Sequence, residues 1–262
     1  MAVLAVPGTE LFYEERGAGP PVLWLQGLGA DHTAWSAQLI AFSRGYHCLA
    51  PDNRGSGKTA PHGPLSLRLL AEDVAALLRA RAGGEAAHVV GLSLGAAIAV
   101  ELALLAPAMV RSLVLVSAGA YVEPRMRELF LAWRAIYPQV PAAVFQQQAN
   151  TWLFSWRFFE RPRAVEGVVR YAERTAVPAA WFTAQVDAVL EHDHRQRLAE
   201  VMAPALVLTG QEDQMIPPRL GCELAAALPN ASYVEIAEAG HSVNLEQQRR
   251  FNDAVRAFFE QH

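Results

Sequence analysis

The sequence predicts an α/β fold, a mostly parallel sheet with helices on both faces. Three observations carry that prediction. Short runs rich in valine and leucine alternate with longer segments of helical periodicity, the rhythm of a doubly wound sheet. The runs lack polar alternation, as strands covered on both faces do. One long segment, residues 120–198, has no strand pattern, holds most of the aromatics and reads as a helical insertion. The expected organisation is a core of residues 1–119 and 199–262 with residues 120–198 inserted as a helical lid.

The first element is a hairpin, 3–6 and 11–15, turning at Pro7-Gly8-Thr9. Strands are expected at 22–25, 46–50, 88–91, 113–116, 206–209 and 232–236. A helix over 67–80 follows from Leu70, Val74, Leu77 and Leu78 at helical spacing. A tail helix over 244–260 follows from Leu245, Phe251, Val255, Phe258 and Phe259. The insertion has two readings that are compatible: a subdomain packing its own aromatics, or a lid whose Trp133, Trp152 and Trp181 line a substrate pocket.

With 262 residues, 52% of them hydrophobic, the chain has the material for a large core. A net charge of −4, without long basic or acidic runs, gives no electrostatic support for nucleic-acid or membrane-surface binding. The partner expected is a small molecule, and the oligomeric state is not readable. Two cysteines, Cys48 and Cys222, are too few for a disulfide framework and read as reduced, partly buried thiols. The N-terminus lacks a basic region and soon meets Pro7-Gly8, unlike a secretory signal. The most apolar helix candidate carries Glu101 and Pro107 and is too short to span a bilayer. A soluble cytoplasmic protein is expected.

Chemistry concentrates at Gly91-Leu92-Ser93-Leu94-Gly95, where a valine run gives way to an alanine-rich helix. A sharp strand-to-helix turn forces its central residue into an unfavourable backbone conformation, and the chain doubling back needs small residues two positions away. Such a turn presents the Ser93 hydroxyl at the end of the sheet and puts the Leu94 amide at a helix start. A serine nucleophile needs a base, and the base an orienting acid. Of eight histidines, His241 has the best reach, on a loop after the last strand. Asp213 follows the preceding strand in a turn opened by Gly210, and its neighbour Glu212 stays open as the acid.

The order Ser93, Asp213, His241 is that of the α/β-hydrolases, and the sequence resembles that superfamily over nearly its whole length. The matching pieces are the elbow at 91–95, Gly210-Gln211-Glu212-Asp213 with Pro217, Gly240-His241, and the glycine turn Asp52-Asn53-Arg54-Gly55-Ser56-Gly57. The resemblance is to small capped serine hydrolases, similar to enol-lactonases, aminoacrylate hydrolases and carboxylesterases. It implies that the insertion is a cap and that the Leu28 amide joins that of Leu94 as an oxyanion donor. Relatives commonly place His-Gly before that donor, where this chain has Gln26-Gly27; Gln26 is expected to orient the loop or touch substrate. His32 and Trp35, just beyond, are placed beside the pocket. Asp52 and Arg54 read better as an internal network fixing their turn than as a substrate clamp. The pair His192-x-His194 lacks a further spaced ligand for a metal, and no cofactor is expected.

The function expected is hydrolysis of a small to medium, partly apolar ester or lactone through an acyl-enzyme. Carbon–carbon or C–N hydrolysis, perhydrolysis and acyl transfer use the same triad and stay open, with a non-catalytic binding role as the contrasting class. Haloalkane dehalogenase and epoxide hydrolase relatives carry aspartate at the elbow, so Ser93 argues against both.

Overall fold

The computed structural model describes residues 2–262. Among these, eight strands, β1 (Ala2–Val6), β2 (Thr9–Arg16), β3 (Pro21–Leu25), β4 (His47–Pro51), β5 (Ala87–Leu92), β6 (Val110–Val116), β7 (Ala205–Gly210) and β8 (Ala231–Ile236), form one sheet. Their order is β1-β2-β4-β3-β5-β6-β7-β8. β1 and β2 form the expected hairpin, β2 runs antiparallel to β4, and every remaining pair is parallel.

Among the described residues ten helices accompany the sheet: α1 (Ser36–Phe42), α2 (Leu67–Arg81), α3 (Leu94–Leu105), α4 (Pro124–Ile136), α5 (Ala142–Leu153), α6 (Pro162–Thr175), α7 (Ala179–Leu190), α8 (Pro218–Ala227), α9 (Val243–Glu246) and α10 (Gln248–Phe259). α2 starts where Ser66 Oγ accepts the Leu69 amide, an N-cap that satisfies one of the first-turn donors. The tail is two helices rather than the one expected. Gln247 leaves the helical region at φ −124° and ψ 49°, and its side-chain amide donates to Glu238 O.

Strand side chains divide by parity between two cores. Val22, Trp24 and Val90 meet Trp35, Phe42, Phe251 and Val255 on the α1 and α10 face. Leu23, Leu25 and Val89 lie in the core of the opposite face, with Leu70, Val74 and Leu77 from α2 and Ile98 and Leu102 from α3.

The segment between β6 and β7 adds α4 to α7 and no strand to the sheet; a β-bridge joins Tyr121 to Asp193 near its two ends. Its aromatics pack on one another. Tyr137 stacks on Phe182 with centroids 4.0 Å apart, and Phe145 meets both edge-on. Both cysteines are free thiols, but only Cys48 is buried. Cys222 is exposed on α8, against the expectation for it. Among the described residues no helix is long and apolar enough to cross a membrane.

Candidate active site

The turn from β5 to α3 is built as its glycines require. A Cβ on Gly91 would collide with the Gly95 carbonyl, and one on Gly95 with the Leu25 carbonyl. Ser93 between them sits at φ 55° and ψ −114°, a conformation that non-glycine residues rarely adopt. Its amide donates to Val116 O at 3.0 Å, which ties the bend to β6.

His241 follows β8 and is buried, as is Asp213 after β7. His241 Nδ1 lies 2.9 Å from Asp213 Oδ2. The other carboxylate oxygen, Oδ1, accepts the Met215 and Ile216 amides at 2.9 and 2.8 Å. With both oxygens engaged, the carboxylate has a fixed orientation toward the imidazole. Glu212 makes no such contact with His241.

Ser93 and His241 border one cavity of about 420 Å³ between the sheet and the inserted helices. Gly27 and Leu28 border it too, and a Cβ on Gly27 would stand 3.5 Å from Ser93 Cβ. Leu94 is the first residue of α3, where amides lack intrahelical acceptors. In the loop after β3, Gly29 N donates to Gln185 Oε1 and Ala30 N to Gly27 O.

The alpha/beta hydrolase fold family matches residues 20–248 of the chain. The chain belongs to that family. A protein of Azorhizobium caulinodans proposed to be a carbamate hydrolase is 31% identical over 258 residues, covering 95% of this chain and 94% of its own. The enol-lactonase of Burkholderia xenovorans superposes with a TM-score of 0.90 at 27% identity, over 99% of this chain and 100% of its own. A thermophilic esterase of Thermogutta terrifontis gives 0.89 at 26% identity, over 99% and 96%.

Several expected site residues lie elsewhere in this hydrolase. Trp35 is fully buried between Trp24 and Phe251 in the core of the α1 and α10 face, at the end of a short helical turn, His32–Trp35. Trp152 carries the Arg125 guanidinium over its ring, and neither it nor Trp181 lines the cavity. Trp133 does line it, with its indole N–H donated to Gln148 at 2.9 Å. Gln26 is fully buried, with its side-chain amide turned to Ser56 Oγ at 3.4 Å, and does not line the cavity. His32 is likewise turned inward, with its Nδ1 2.7 Å from Asp52. Burial alone would lower its pKa, but the Asp52 carboxylate holds it above the ordinary histidine value.

Arg54 pairs with Asp73 through Nε and Nη2 at 2.5 and 2.7 Å, both groups buried. Asp52 instead accepts the His32 and Lys58 amides. The glycine turn is thus an internal network, with two separate pairings. His192 Nε2 faces His194 Nδ1 at 3.1 Å, and His194 Nε2 faces Glu101 at 3.1 Å. Burial pushes the His192 imidazole down to about 3.

Two supporting residues carry no motif in the sequence. Gln185 on α7 accepts from Gly29 N at 3.0 Å and donates to Arg54 O at 2.8 Å, joining the insertion to both core loops. Glu246 on α9 accepts the Gly240 amide at 2.7 Å and the Ser155 amide and hydroxyl at 3.0 and 2.5 Å. It pins the loop that carries His241 to the insertion.

Proposed function

We propose that this hydrolase cleaves carboxylic esters or lactones through an acyl-enzyme on Ser93. The observation that carries the reading is Ser93 on its strained bend, bordering the same cavity as an Asp213-oriented His241. His241 takes the Ser93 proton as the hydroxyl oxygen attacks the substrate carbonyl. Asp213 fixes the imidazole tautomer and stabilises its charged form. The Leu28 and Leu94 amides hold the oxyanion. His241 returns its proton to the leaving alcohol; water then attacks the acyl-enzyme with His241 as base again.

Residues 120–198 act as the cap over the core of residues 1–119 and 199–262, with Trp133 in the substrate wall. The relatives named as an esterase, an enol-lactonase and a proposed carbamate hydrolase support hydrolysis at a carbonyl. The test is turnover of p-nitrophenyl butyrate and hexanoate by wild type and Ser93→Ala. Wild-type turnover with a loss of at least about a thousandfold in the folded variant is expected. A variant as active as wild type contradicts the reading.

A further inference from the structure

The cavity over Ser93 has a chemical character that narrows this reading, on which the inference rests. Among the described residues, no lysine, arginine, aspartate or glutamate lines it. Its cap-side wall on α6 is made of small apolar groups at Ala164, Val168 and Ala172. The tyrosine hydroxyls of the wall are already engaged. Tyr137 Oη donates to Val177 O at 3.0 Å and accepts from its amide, while Tyr171 Oη donates to Asp31 at 3.0 Å. The charged side chains hydrogen-bonded to wall residues are Asp31, behind Tyr171, and Asp213, behind His241. Both are anionic.

We infer that the substrate is uncharged along its whole acyl body, and that acyl groups ending in a carboxylate are excluded. A carboxylate entering this cavity loses its hydration, finds no cation and faces two carboxylates one side chain away. A neutral chain meets a wall that is mostly apolar and whose polar groups, Asn244 and Gln146 among them, need no counter-charge.

The test is a matched set: methyl hexanoate, monomethyl adipate, in which the chain end is a carboxylate, and dimethyl adipate, in which that charge is removed and the bulk increased. Wild-type kcat/KM is expected to be at least about a hundredfold lower for the monoacid than for either neutral ester. Equal rates, or preference for the monoacid, overturn the inference. A loss shared by both adipates also overturns it, since size and not charge would then decide. Gln146→Arg, which places a cation in the cavity wall, is expected to raise turnover of the monoacid selectively. If wild type hydrolyses none of the three, the p-nitrophenyl esters decide the hydrolase reading, and calorimetric binding to Ser93→Ala decides the inference separately. Tighter binding of the neutral esters upholds it; equal binding, or none, overturns it.

Discussion

At the scale of residues, Ser93 is held by its neighbours in a conformation it would not choose. Glycine adopts φ 55° without the Cβ penalty, so Ser93→Gly relieves strain that Ser93→Ala retains. The glycine variant is expected to be more stable than the alanine variant by about 1 kcal/mol in urea unfolding. Equal stabilities would mean that the bend stores no strain at this residue. The same short-range logic makes the elbow legible in the sequence, because Gly91, Ser93 and Gly95 act within five positions. Aromatics are different. Trp35, Trp152 and Trp181 are apolar wherever they fall, and nothing local says which face of a helix meets the cavity.

At the scale of elements, loops at the carboxyl ends of the strands are tied together by groups distant in sequence. Gln185 reaches Gly29 and Arg54, and Glu246 reaches Ser155 and Gly240. Neither is distinguishable in the sequence from any other polar helix residue, since its partner is set by tertiary packing. His32 joins the loop after β3 to the turn after β4 through Asp52. Its pKa is raised in the folded state, so its contribution is full below the unfolded value and is lost as pH rises through the folded one. The stability difference between wild type and His32→Gln is therefore expected to shrink as pH rises above about 6.5, the ordinary histidine value. A difference that stays constant from acid to alkaline pH contradicts a charged His32–Asp52 pair.

At the scale of the whole molecule, the alternation of strand and helix predicts the sheet, and both the strand positions and the strandless insertion are found in the structure. The tail break at Gln247 falls in the polar run Glu246-Gln247-Gln248-Arg249-Arg250, which holds no glycine or proline to mark it. The fold brings β5, β7 and β8 side by side or nearly so, and this carries Ser93, Asp213 and His241 from far apart in sequence to one end of the sheet. In the proposed reaction Ser93 is the nucleophile of that assembly. Reaction of the intact protein with a fluorophosphonate, followed by peptide mass spectrometry, tests it most directly. One adduct is expected, on Ser93, absent from Ser93→Ala and strongly slowed in His241→Ala; labelling elsewhere, or undiminished labelling of Ser93→Ala, would rule Ser93 out as the nucleophile.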